Sequence, residues 1–244
     1  RRVLFRSIGA QNGFYTNGAT AVSPSGNCRS VKAFGGVVYV NTSTTPFVGT
    51  LSSPSGATVS ALSFATAPGS QPYDIYLISS GSNGSTFDVM YTIVSTTATA
   101  GTIAKYSLVS GQWISNGTYT TTFGGYTIAA KKSGAGAELY AVTGTGATAA
   151  NSVIKLTDAA GYNATLAITT ANNVTLYTSA AGTTVKGIAF APVAPNAAVT
   201  LSSPGQVTSG NIAQGAVDQS IGSFQAAVTN SNATLSTLSF TTAG

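Results

Sequence analysis

The amino-acid sequence predicts an all-β chain with helix nearly absent, and three observations carry this. Short runs rich in Val, Ile, Tyr, Phe and Thr recur, bounded by Gly, Asn, Ser and Pro clusters, which is how strands alternate with turns. No segment sustains helical periodicity with a cap at each end. Only 6% of residues are charged while 9% are aromatic. A disordered chain shows the opposite balance, many charges and few aromatics.

Three hairpins are predicted in order. The first joins Ser30–Phe34 to Val37–Val40 through Gly35-Gly36, where two residues without Cβ atoms let the chain reverse. The second joins Tyr73–Ser79 to Phe87–Val94 across the loop 80–86, and the third joins Tyr126–Lys131 to Glu138–Val142 across the loop 132–137. Each second strand carries one tyrosine, Tyr39, Tyr91 and Tyr140, at intervals of 52 and 49 residues. A second landmark follows the same period: Lys105 and Lys155 are 50 residues apart, as are Gly111 and Gly161, and each glycine is closely followed by an aromatic, Trp113 or Tyr162.

Four strands per interval of about fifty residues is the pattern of a propeller blade. One twisted sheet cannot bury both faces alone, and stacking neighbours face to face hides them. The predicted architecture is therefore a partial, open β-propeller of about three to four four-stranded blades over residues 8–195. Its first and last sheets are expected to expose an apolar face, which favours association. A sandwich or β-solenoid explains the strands but not the fixed interval. Val185–Ala191 reads as the first strand of a further blade or as the closing strand, and Pro192 to Asn196 as a stiff linker. From Ala197 Tyr, Trp and Lys disappear, and strands are expected at Val199–Ser202, Ser223–Thr229 and Ala233–Phe240. Residues 196–244 read as the start of a truncated β-sandwich-like module, being well short of the ~100 residues of an immunoglobulin-type domain.

Residues 1–7 stand apart. Arg1-Arg2-Val3-Leu4-Phe5-Arg6-Ser7 reads as an in-frame translation of a short sequencing adapter, a scar of metagenomic sequencing, and is expected to add nothing to the core. It also inflates the charge: the chain carries +5, but without these three arginines seven basic residues face five acidic ones. The remaining bases are scattered, so the dense basic face that neutralises several phosphates is missing and nucleic acid is not an expected partner. No run reaches the ~20 apolar residues of a membrane span. Cys28, the single cysteine, forms no internal disulfide and reads as an inert residue of an apolar strand.

The segments Gly101 to Leu108, Leu139 to Gly144 and Val153 to Asp158 resemble the last blades of large secreted bacterial β-propeller proteins. Ser209–Gly244 looks like the opening of the immunoglobulin-like repeat that follows such blades. The resemblance implies an extracellular or cell-surface, multidomain protein, and it brings no catalytic residue with it.

The absence of histidine removes the usual triads, histidine metal sites and histidine general bases. Asp88 and Glu138 stand at the start of corresponding strands in successive repeats, where carboxylates facing across a pocket could hydrolyse glycosides; the plainer reading is solvated strand-end acids. Trp113 and Tyr162 read as corresponding blade positions that either stack on a sugar or pack between blades. Asp-x-Asp calcium motifs are lacking, so a Ca²⁺ site has no sequence support and no cofactor is expected. Six Asn-x-Ser/Thr triplets, Asn41 and Asn116 among them, are expected to be unmodified in a bacterial protein. The expectation is a non-enzymatic extracellular scaffold or binding module whose partner is a protein or polysaccharide, with no oligomer specified. The alternatives are part of a secreted hydrolase with its catalytic residues elsewhere, or a structural adhesin stalk.

Overall fold

The computed structural model describes residues 28–51, 59–145, 149–191, 198–202, 210, 213–217 and 225–229. The adapter-like residues 1–7 and the strand expected over 233–240 lie outside the described residues. The chain divides into two compact units, 1–190 and 191–244.

The larger unit holds three four-stranded antiparallel sheets, each with its strands in chain order. The first comprises β1 (Val31–Phe34), β2 (Val37–Asn41), β3 (Val48–Leu51) and β4 (Val59–Ala61). The second comprises β5 (Asp74–Ile78), β6 (Val89–Thr97), β7 (Ala100–Val109) and β8 (Gln112–Thr121). The third comprises β9 (Gly125–Ser133), β10 (Gly136–Thr143), β11 (Ser152–Asp158) and β12 (Val174–Thr178). The helical structure described is a single 3-10 turn, Thr170–Asn172.

All three expected hairpins form. Gly35 and Gly36 take φ of +57° and +80°, as a two-residue turn with both central residues left-handed requires. The third hairpin is tighter than expected: Lys132 pairs with Ala137, and Gly134 (φ +57°) and Ala135 make the turn, so the strands run nearly to their tips. Tyr39, Tyr91 and Tyr140 each fall on the second strand of a sheet, opposite Lys32, Tyr76 and Ala129 respectively. On the other side Tyr91 faces Lys105 and Tyr140 faces Lys155. The tyrosine and lysine intervals in the sequence thus report one register.

The middle sheet is covered on both faces because its strands alternate between two apolar sets. Ile75, Leu77, Met90 and Tyr106 pack with Phe34 and Val48 of the first sheet and with Trp113. Val89, Tyr91, Ile93 and Ile103 pack with Ile128, Leu139, Ala141 and Leu156 of the third. Gly125 of β9 permits this second approach, since a Cβ there would lie 2.2 Å from Ile93 Cδ1 of β6.

Two expectations are corrected. Residues 185–190 form no strand: Val185 is tied to the Asn151 side chain instead, and among the described residues no strand supplies a ladder for it. Cys28 precedes β1 rather than lying in a strand; it is half-buried against the Val38, Val40 and Leu51 cluster. On β12, the edge strand of the third sheet, Val174, Leu176 and Tyr177 are 47%, 51% and 54% exposed. In the smaller unit β13 (Ala198–Ser202) pairs antiparallel with β14 (Gln225–Thr229), within a residue or two of the strands expected there.

Candidate functional site

Counting back from the partners of the three tyrosines, Arg29, Tyr73 and Tyr126 occupy corresponding positions, and so do Ser30, Asp74 and Thr127. All six line one cavity of about 640 Å³, where the first strands of the three sheets meet. Cys28, Val31, Lys32, Thr145 and the segment 186–188 complete its wall.

Asp74 holds the floor together. Its Oδ2 accepts hydrogen bonds from Lys32 Nζ of β1 at 2.6 Å, from the Ile128 amide of β9 at 2.9 Å and from the Thr127 hydroxyl, while Oδ1 accepts from the Ile75 amide. Lys32 also donates to the Ile128 carbonyl at 2.8 Å. Burial lowers the Lys32 pKa, and the neighbouring Asp74 carboxylate works against that shift. One carboxylate thereby joins three sheets at their first strands.

Above this floor four side chains form a row. The Arg29 guanidinium lies 4.0 Å from the Tyr73 ring centre. Tyr73 meets Tyr126 edge to face at 6.4 Å, and Lys186 Nζ lies 5.6 Å from the Tyr126 ring. A cation over an aromatic face is favoured by the ring quadrupole. Two buried asparagines aim the row. Asn41 accepts the Arg29 and Ser30 amides on Oδ1 and donates to the Pro72 carbonyl, which sets Arg29 beside Tyr73. Asn151 binds both backbone groups of Val185 and so places Lys186. Asn41 and Asn116 are buried, so neither triplet presents an amide to a modifying enzyme.

A second polar cluster lies between the second and third sheets. Lys105 Nζ contacts Asp158 Oδ2 at 2.8 Å, with both side chains at most 1% exposed. Lys105 also donates to the carbonyls of Ala160 and Gly161. Tyr91 donates to Asp158 Oδ2 at 2.8 Å, and the amides of Ala160 and Ala167 fill Oδ1. Burial first, then the Asp158 charge, pushes the Tyr91 hydroxyl far above its ordinary pKa of 10.

The residues singled out from the sequence fall elsewhere. Asp88 is fully buried and closes the β5–β6 loop by accepting from the Ser80 amide, the Ser80 hydroxyl and Asn83 Nδ2. It is not a solvated strand-end acid. Aligning Tyr91 with Tyr140 sets Asp88 beside Ala137, one residue and one sheet face away from the position of Glu138. Glu138 sits at the surface between Lys131 at 2.9 Å and Lys155 at 3.4 Å. Hydrogen bonds from Lys131 and Tyr140 lower its pKa to about 2. Trp113 lies on β8, 2% exposed, against Phe64 and Tyr106, so it packs between sheets. Tyr162 is in the connection after β11, not on a strand, and its hydroxyl donates to the Leu108 carbonyl. Tyr162 and Asp88 both bond the backbone of Leu108, whose cross-strand partner on β8 is Trp113.

The cavity residues were not found from the sequence. A signal for them exists: Tyr73-Asp74 and Tyr126-Thr127 lead their strands 53 residues apart, and Val31-Lys32 recurs as Val185-Lys186. Among the described residues no group of three His, Cys, Asp or Glu could hold a metal ion, and no helix is long and apolar enough to cross a membrane. No family model, curated protein or solved structure matches the chain.

Proposed function

We infer that the three sheets are consecutive blades of an open β-propeller, and that the chain is a non-enzymatic binding module of a larger extracellular or cell-surface bacterial protein. The observation that carries this is the cavity at the first strands, lined by corresponding residues of all three sheets. The first strand of a blade lies nearest the propeller axis, and a concave site where separate elements meet is the ordinary place for a ligand. The use of the acids supports a binding rather than a hydrolytic role: Asp74, Asp88 and Asp158 each spend their oxygens on internal bonds.

The test is to display the chain, and a version extended by its flanking gene sequence, on glycan and protein arrays and on ester and glycoside panels. Binding that is lost when the cavity is blocked, without turnover, is the expected result. Turnover by the chain that vanishes in Asp88→Asn or Glu138→Gln would replace this reading with the hydrolase one. Turnover confined to the extended version would place catalysis outside these sheets.

A further inference from the structure

Among the described residues two asparagines are followed by glycine, Asn83 and Asn116, and the fold treats them in opposite ways. Asn-Gly is the step at which a chain most readily modifies itself, because a glycine amide brings no Cβ with it as it turns back on the preceding side chain. Asn116 lies on β8 and is 8% exposed. Its Nδ2 donates to Asn163 Oδ1, its carbonyl accepts the Leu166 amide, and the Gly117 amide donates to the Ser115 hydroxyl, so side chain and backbone are both held. Asn83 and Gly84 are exposed in the turn between β5 and β6. Among the described residues the Gly84 amide has no hydrogen-bond acceptor. Gly84 takes φ of +65°, and a Cβ on it would meet no atom within 4 Å.

The Asn83 side chain makes one hydrogen bond, from Nδ2 to Asp88 Oδ2 at 2.9 Å. Asp88 is fully buried and also accepts the Ser80 amide at 2.7 Å and the Ser80 hydroxyl at 2.6 Å. We propose that Asn83–Gly84 is a self-modification site: the chain converts Asn83 to aspartate or isoaspartate without an enzyme, and the new carboxylate breaks the contact with Asp88 and opens the loop 80–86. The Gly84 nitrogen gives its proton to solvent and attacks Asn83 Cγ. The new N–C bond forms as the bond to Nδ2 breaks and ammonia leaves, giving a cyclic imide. Water, the only co-reactant, opens the imide at either carbonyl. One product is aspartate, and the other is isoaspartate, whose backbone runs through Cγ. Either way a donor to Asp88 is replaced by a negatively charged acceptor, and two carboxylates in contact repel. Lys132 of the β9–β10 hairpin stands beside the same loop, since a Cβ on Gly81 would lie 2.9 Å from its Nζ, and it is the competing partner for the new charge.

The full chain is aged at mildly alkaline pH in heavy-oxygen water and mapped by peptide mass spectrometry. Asn83 should convert to aspartate and isoaspartate, each carrying the heavy oxygen, and faster as pH rises, while the folded chain keeps Asn116 as asparagine. An unchanged Asn83, or conversion at Asn116 as fast as at Asn83, would overturn the site. Amide hydrogen exchange on fresh protein reads the consequence. Asn83→Asp should speed exchange of the Ser80 amide by about tenfold, the order expected for losing a hydrogen bond to a charged group. Asn83→Ala, which removes the donor without adding charge, should do less, and Asn83→Asp/Asp88→Asn should restore protection. If Asn83→Asp exchanges no faster than Asn83→Ala, Lys132 has taken the new charge and the loop does not open as proposed.

Discussion

Tyr39 and Tyr91 stand at the same position of successive sheets and meet opposite surroundings. Tyr39 has Thr50 across from it and packs edge-on to Phe34 at 5.8 Å, against the cluster that also holds Tyr106 and Trp113 and that Leu108 joins. Tyr91 has Lys105 across from it and Asp158 from the next sheet, and Asp158 holds the position that Leu108 holds one repeat earlier. Around Tyr39 the first interface closes on apolar packing, its ion pair Lys32–Asp74 lying at the cavity with Lys32 21% exposed, whereas around Tyr91 the second encloses an ion pair whose two side chains are at most 1% exposed. Apolar packing is tolerant of shape-preserving exchange. A buried ion pair adds little net stability over a well-packed apolar substitute, but losing one partner strands a charge in the core. The second interface is therefore the more selective: a third sheet without an acid at position 158 would leave Lys105 unpaired.

The largest expected effect comes from breaking that pair. Lys105→Met should cost about 3–5 kcal/mol in urea denaturation, because Asp158 keeps its burial and loses its counter-charge. Adding Asp158→Asn should return part of the loss. If Lys105→Met costs no more than a surface substitution, the two interfaces do not differ as argued. Trp113→Ala at the aromatic interface should cost about 3–5 kcal/mol by a different route, the cavity left behind, so Trp113→Phe should recover most of it.

A matched pair of smaller changes sharpens the contrast. Tyr91→Phe removes a bond to a carboxylate and should cost about 1.5–3 kcal/mol. Tyr106→Phe, which keeps the edge-on contact with Phe64 at 5.3 Å, should stay within about 1 kcal/mol. Similar costs at the two positions would mean that ring packing, not the ionic cluster, governs both. The raised Tyr91 pKa sets an alkaline limit as well. Its stabilisation is present below pH 10 and is lost as pH climbs above that value, so Tyr91 should stay silent in a phenolate titration until the chain unfolds.

The smallest effect belongs to Glu138. Its folded pKa of about 2 lies below the ordinary 4.5, so its contribution is present above pH 4.5 and fades as pH falls toward 2. The side chain is at the surface, where solvent screens the pair, and the change in stability should be slight. Carbon-13 NMR should nonetheless find a midpoint well under 4.5, and Lys131→Gln should move it upward. A midpoint unchanged by that variant would remove Lys131 as the cause.

By itself the sequence determined the all-β class, the hairpins and the second-strand tyrosines. It could do so because strand composition, glycine turns and the interval near fifty residues are local or periodic properties of one chain. Gly35-Gly36 fixes its own reversal, and the shared interval of Tyr91 with Tyr140 and Lys105 with Lys155 is their common register. Only the tertiary structure decided which polar residues are buried and which strands converge. Asp158 reads as a turn acid until the third sheet docks and sets it against Lys105, 53 positions earlier. Trp113 and Tyr162 follow matching glycines yet fall on a strand and in a loop. Arg29, Tyr73 and Tyr126 become one wall only when three strand lead-ins meet at one side of the stack. The physical reason is that period reports position along a sheet, whereas docking sets which face meets which neighbour, and burial, pairing and site geometry all follow from the docking.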